Sequence, residues 1–197
     1  MLIVVTDREH SVGDFELRLG EIAKAGPQRI ILREKKLDDE EYFALAKRCA
    51  GICKAYGVPL ALNRWVVERF QTGHLHLPFA DFVRAAAGGA NQMVCGVSIH
   101  NKEEAAMAEE LGAAYLVAGH IYETECKKGL AGRGLGFLRE ICISVAIPVY
   151  AIGGITLHNA PDTVRAGAAG VCVMSGLMGC KEPCRDARRM MDLLRQA

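Results

Sequence analysis

The chain has no long run of one charge. Its 197 residues carry 24 basic and 23 acidic side chains, a formal net charge of +1, so a nucleic-acid or membrane-surface partner would find no electrostatic footprint. No apolar stretch reaches the ~20 residues needed to cross a bilayer. The opening Met1-Leu2-Ile3-Val4-Val5 is short and lacks a basic leader, so a cytosolic location is expected. The eight cysteines include no Cys-x-x-Cys pair. Cys49/Cys53 and Cys180/Cys184 are four apart, but no histidine or second cysteine pair nearby completes a zinc pattern. Most are expected to be small buried hydrophobes in a reducing compartment. No histidine pair has the spacing of a catalytic zinc helix, so no metal is expected from spacing alone.

What the chain does have is alternation. Short β-branched runs are followed by helical patterns, again and again. Strands are expected at Leu2–Val5, Arg29–Leu32, Leu60–Leu62, His74–Leu77, Met93–Val97, Ala114–Ala118, Pro148–Ile152 and Gly170–Met174. The matching helices fall at Asp14–Lys24, Asp38–Tyr56, near Val66–Phe70, near Asp81–Ala87, at Lys102–Leu111, around Leu135–Ser144, near Asn159–Ala166 and in a closing helix that ends near Leu194. Strands alternating with helices call for parallel βαβ units with right-handed crossovers. Eight such units, with no Gly-x-Gly-x-x-Gly after the first strand, favour closure over an open dinucleotide-binding sheet. The expectation is an α/β protein, a single (β/α)8 TIM barrel spanning 1–197 as one domain.

In that fold the chemistry lies just past the strands, at the C-terminal face. The residues there are polar, basic and glycine-rich: Thr6-Asp7, Arg33-Glu34-Lys35, Asn63-Arg64, Pro78, Ser98-Ile99-His100, Gly119-His120, Gly153-Gly154 and Ser175-Gly176. The last two follow strands seven and eight, the usual phosphate position. Glycine there lets backbone N–H groups approach an anion, although glycines can also serve only to make tight turns. Arg33 and Lys35, two apart in an extended segment, point the same way and can meet an anion together. Histidine as a residue type can both take and give a proton, so His120 could carry one; from position alone it could equally be a structural histidine capping a strand. Of His74 and His76, which flank one strand residue, one is expected to face the barrel interior. The long stretch from Gly119 to Gly134 is expected to be functional, with Lys127 and Lys128 able to reach an anionic substrate.

The stretch Gly119-His120-Ile121-Tyr122-Glu123-Thr124-Glu125-Cys126-Lys127-Lys128-Gly129 resembles the signature loop of thiazole tautomerases, the TenI family, close relatives of thiamine phosphate synthase. Similarity runs through Val5-Thr6-Asp7, Leu32-Arg33-Glu34-Lys35, Gly96-Val97-Ser98-Ile99-His100, the segment from Ile147 to Ile155, and Val173-Met174-Ser175-Gly176. In the synthase branch a proline stands at the position of His120. That branch also has a metal-binding aspartate where this chain has Arg64, and a glutamine where it has Ile31; Asp81 could match its second metal carboxylate. A cation cannot ligate Mg2+.

The resemblance therefore implies a thiazole tautomerase. Its His120 would move a proton from the ring carbon bearing the carboxylate to the exocyclic carbon, without a cofactor. Gly153, Gly154, Ser175 and Gly176 would hold the substrate's phosphate. Arg33, Lys35, Asn63, Ser98, Thr124, Cys126 and Lys127 would contact the small phosphorylated thiazole. The alternatives are a thiamine phosphate synthase, which joins hydroxymethylpyrimidine diphosphate to thiazole phosphate and needs Mg2+, and a non-catalytic binder of a thiamine intermediate. No nucleic-acid or membrane partner is expected; the resemblance leaves a homodimer open.

Overall fold

A computed structural model describes residues 1–64, 73–88 and 93–197. Eight strands form a closed barrel in sequence order: β1 (Leu2–Val5), β2 (Arg29–Leu32), β3 (Leu60–Leu62), β4 (His74–Pro78), β5 (Val94–Ile99), β6 (Tyr115–Gly119), β7 (Val149–Ile152) and β8 (Gly170–Val173). Every neighbouring pair is parallel, and β1 closes on β8 with Ile3 opposite Cys172. Helices lie between the strands: α1 (Phe15–Lys24), α2 (Asp39–Ala55), α3 (Phe79–Ala87), α4 (Lys102–Glu110), α5 (Gly134–Ser144), α6 (Ala160–Arg165), α7 (Ser175–Met178) and α8 (Pro183–Gln196). The chain is thus a single (β/α)8 barrel. The helix expected near Val66–Phe70 lies outside the described residues.

Local chemistry explains the boundaries. Asp14, Asp38 and Asn101 each accept a backbone N–H from the first turn of α1, α2 and α4, and Asp38 with Glu41 forms a reciprocal capping box. Most bounds shift from the sequence expectation by a residue or two, and two of the differences bear on the site or the architecture. β5 runs on to Ile99, because Ser98 and Ile99 pair with Val117 and Ala118 of β6; Ser98 is a strand residue, not one beyond it. The closing helix is two helices, α7 and α8, parted at Gly179 to Glu182.

Strand parity divides the core in two. Leu2, Val4, Ile30, Leu32, Leu75, Leu77, Cys95 and Val97 face outward into the layer between barrel and helices. Ile3, Val5, Ile31, Ala61, Tyr115, Val117, Tyr150 and Cys172 fill the barrel itself. This is the alternation that strand geometry imposes. Inside, Tyr115 sits edge-on to Tyr150 at 5.7 Å between ring centroids and stacks on His76 at 5.5 Å. Gly96, the residue opposite Tyr115 on β5, is what makes room: a Cβ there would lie 2.0 Å from the tyrosine ring. The cysteines of the core are free, and burial pushes the thiols of Cys49, Cys53 and Cys95 up to about 12. No described helix is long and apolar enough to cross a membrane.

The Tyr115 fit predicts that Gly96→Ala destabilises the fold by roughly 1–3 kcal/mol, the usual cost of overpacking a filled core. Urea unfolding measures it; a midpoint equal to that of the native chain would show that the barrel interior has slack.

Candidate active site at the barrel mouth

A cavity of about 570 Å³ opens at the C-terminal end of the strands. Its wall includes Arg33 and Lys35 after β2, Asn63 after β3, Ser98 on β5, His120, Thr124, Cys126 and Lys127 after β6, Gly153 and Gly154 after β7, and Ser175 and Gly176 after β8. The residues to which the resemblance gives a catalytic, phosphate or substrate role are thus brought to one place. Arg64 and Asp81 are not on this wall. Sequence reasoning missed Glu123, the only carboxylate lining the cavity among the described residues, and offered His74 and His76 for the barrel interior without choosing; His76 is the one that reaches the cavity floor. The signal for His76 was its two-residue spacing from His74, which puts both on the inward face of β4.

The glycine side is built loop against loop. Gly153 and Gly154 have φ of +97° and +64°, a region that L side chains rarely adopt. A Cβ on Gly153 would lie 2.3 Å from that of His120, and one on Gly154 would lie 2.4 Å from the Glu123 carbonyl oxygen. The β6–α5 loop is laced to this turn: Ile121 N–H donates to Ile152 O at 2.8 Å and Tyr122 N–H to Gly153 O at 3.0 Å. Asn159 Nδ2 donates to Gly154 O at 2.9 Å. The turn-making role of the glycines is therefore realised. A second property accompanies it: among the described residues, the N–H groups of Gly153, Gly154, Ser175 and Gly176 have no acceptor. Four unengaged donors at the mouth of a barrel offer hydrogen bonds of the kind an anion takes.

The β2–β3 side is cationic. Thr6, fully buried, donates its hydroxyl to Glu34 Oε1 at 2.8 Å and accepts the Arg33 N–H at 3.0 Å, which fixes the strand end bearing Arg33 and Lys35. Burial raises the Glu34 carboxyl above its usual range. Arg64 is engaged elsewhere. Its guanidinium donates to Asp39 Oδ1 at 2.7 Å, to Leu37 O at 2.9 Å and to Glu34 O at 3.3 Å, and lies 4.6 Å from the Tyr42 ring centroid. It braces the β2–α2 loop. Asp81, on the first turn of α3, is paired with Arg84. No described cluster of three His, Cys, Asp or Glu side chains is set to hold a metal. The described residues do not fit a carboxylate-held Mg2+.

Two histidines meet the cavity differently. His120 is 7% exposed; its Nε2 lies 3.3 Å from Leu130 O, and its Nδ1 is buried without a partner among the described residues. His76 is 4% exposed and bonded at both nitrogens, Nε2 to Ser98 Oγ at 2.9 Å and Nδ1 to the Tyr115 hydroxyl at 3.1 Å. Burial, with the nearby Arg29 charge, lowers its pKa from 6.5 to about 3. The unfolded chain takes up this proton as pH falls through 6.5 and the folded chain does not until about 3. Its contribution to stability is thus complete above pH 6.5 and is lost below it by up to about 1.4 kcal/mol per pH unit. His76→Gln is expected to flatten that part of the curve. Urea midpoints at neutral and mildly acidic pH check this; an equal acid-side loss in both proteins would contradict it.

Comparison with known proteins gives the geometry a family. The family model described as "Thiamine monophosphate synthase" matches residues 2–177. A thiamine-phosphate synthase of Desulfitobacterium hafniense (strain Y51) is 34% identical over 98% of this chain and 97% of its own length. One from Roseiflexus castenholzii is 34% identical over 100% of this chain and 89% of its own. Among solved structures, a thiamine phosphate pyrophosphorylase from Pyrococcus furiosus superposes with a TM-score of 0.85 at 27% identity, covering 99% and 95% of the two chains. These relatives correct the expectation of a thiazole tautomerase: near full-length similarity is to synthases. That expectation weighed one residue of the β6–α5 loop, His120, above the rest of the barrel. In the structure one nitrogen of that ring lies 3.3 Å from the Leu130 carbonyl and the other has no partner among the described residues.

Proposed function

This chain belongs to the thiamine monophosphate synthase family, and we propose that it is a transferase that joins hydroxymethylpyrimidine diphosphate to thiazole phosphate and releases pyrophosphate. The observation that carries this reading is that one cavity has two separate anion-ready sectors. The unengaged N–H groups after β7 and β8 form one, and Arg33 and Lys35 after β2 form the other. A protein serving a single monophosphate needs only the first. A transferase joining two phosphorylated pieces needs both.

The roles follow from the chemistry. The monophosphate of the thiazole sits against Gly153, Gly154, Ser175 and Gly176, where backbone donors and the Ser175 hydroxyl supply hydrogen bonds. Arg33 and Lys35 take the diphosphate and lower the cost of its leaving as a polyanion. Lys127 adds positive charge from the β6–α5 loop. Asn63 is a positioning group, since its amide donates to His76 O at 2.6 Å. Thr124 and Cys126 line the thiazole side. No step is drawn through Mg2+, because Arg64 stands where the resemblance sets a metal carboxylate. The activity belongs in the cytosol, with no nucleic acid or membrane as partner.

The test is to supply both substrates and follow thiamine phosphate and pyrophosphate, with and without added Mg2+. Turnover in either condition supports the transferase; binding of both substrates with no product in either would reduce the chain to a binding protein. Lys35→Ala is expected to raise the KM for the diphosphate substrate by roughly 10–100-fold, as loss of a charged hydrogen bond does. An unchanged KM would remove the second anion sector from the account.

A further inference from the structure

A chain of polar groups runs down the inside of the barrel, beneath the cavity, in a core that is otherwise apolar. Arg29, the first residue of β2, holds its guanidinium 4.7 Å from the Tyr115 ring centroid. The Tyr115 hydroxyl lies 3.1 Å from His76 Nδ1, and His76 Nε2 lies 2.9 Å from Ser98 Oγ. Ser98 lines the cavity. The resemblance accounts for Ser98 as a substrate contact; the groups below it are unassigned.

The direction of the hydrogen bonds can be worked out. A ring as buried as His76, beside a guanidinium, stays neutral, and a neutral imidazole carries one N–H. Two tautomers are possible. With the proton on Nδ1, the ring would donate to the Tyr115 oxygen, and the buried phenolic proton would need a second acceptor. Arg29 offers none, since a guanidinium only donates. The Ser98 hydroxyl would then spend its proton on Nε2. With the proton on Nε2, every bond is satisfied: Tyr115 O–H donates to Nδ1, and Nε2–H donates to Ser98 Oγ. The second arrangement pairs both ring nitrogens and the phenolic proton, whereas the first strands that buried proton, which is costly.

We infer that His76 is a positioning residue that fixes Ser98 as a hydrogen-bond donor into the cavity. With its oxygen already accepting from Nε2–H, the Ser98 hydroxyl directs its own proton toward whatever lies above it. A donor so fixed suits the oxygens of an anion and discriminates against a ligand group that itself donates. That the anion is the diphosphate rests on the transferase reading; the polarity of the chain does not.

Two experiments separate these levels. Nitrogen NMR of 15N-histidine-labelled protein near neutral pH reads the His76 tautomer directly. The expected spectrum shows a neutral ring protonated at Nε2, and Tyr115→Phe is expected to lose that single tautomer. A ring protonated at Nδ1, or at both nitrogens, overturns the inference. Calorimetric titration with inorganic pyrophosphate reads the consequence. Ser98→Ala and Tyr115→Phe are each expected to weaken binding by about tenfold, and the double variant by no more than Ser98→Ala alone. His76→Gln, whose amide can still donate to Ser98, is expected to retain binding close to the native value. Independent, additive losses would overturn the inference, and so would Tyr115→Phe binding pyrophosphate as the native chain does. If the tautomer is as expected but both substrates fail to react, the positioning role stands and the transferase reading falls.

Discussion

The mouth of this barrel depends on the fit of one turn against one loop. Gly153 and Gly154 leave β7 at positive φ and lie so close to His120, Tyr122 and Glu123 that no side chain could occupy either position. That contact holds the β6–α5 loop over the barrel, where it adds Thr124, Cys126 and Lys127 to the wall. It also turns the two N–H groups away from the sheet's ladder and leaves them without acceptors. A structural constraint and a set of unengaged donors are thus the same few atoms, at the place where this fold commonly holds phosphate.

The opposite requirement, positive charge held in a fixed direction, is met by other means. Thr6 and Glu34 pin the end of β2, so Arg33 and Lys35 project from a rigid strand end rather than a free loop. Arg64 and Tyr42 brace the segment that follows. Beneath both sectors, the polar file through Tyr115 and His76 crosses a core of aliphatic residues and ends at Ser98. Support from a packed core below is how precise sites are commonly built, because donors held in place need no reorganisation when charge arrives.

Much of the fold was legible because the chemistry of a parallel barrel repeats. The strands repeat the same short apolar run and helical patterns follow them, so eight units could be counted and their active face named. The candidate residues were legible for the same reason: the residues that follow the strands converge at one end. What was not legible depended on contacts between distant segments. Ser98 looked like a loop residue because serine is unusual in a buried strand, yet its pairing with Val117 and its inward side chain make it part of the floor. Arg64 looked like a cation replacing a metal ligand in the pocket, but it is bound to Asp39 and two carbonyls to one side. His120 carried too much of the functional argument, since one residue type in one loop says little about what the rest of a cavity has been shaped to hold.

The central claim is that this cavity holds two phosphorylated ligands at once, in distinct sectors. Backbone amide NMR with thiazole phosphate and inorganic pyrophosphate, added singly and together, tests it most directly. The account predicts that thiazole phosphate moves the amides of Gly153, Gly154, Ser175 and Gly176, that pyrophosphate moves those of Arg33, Lys35 and Ser98, and that both sets remain shifted when the two ligands are present together. Competition between the ligands for a single set of amides would contradict it and leave the barrel with one anion site.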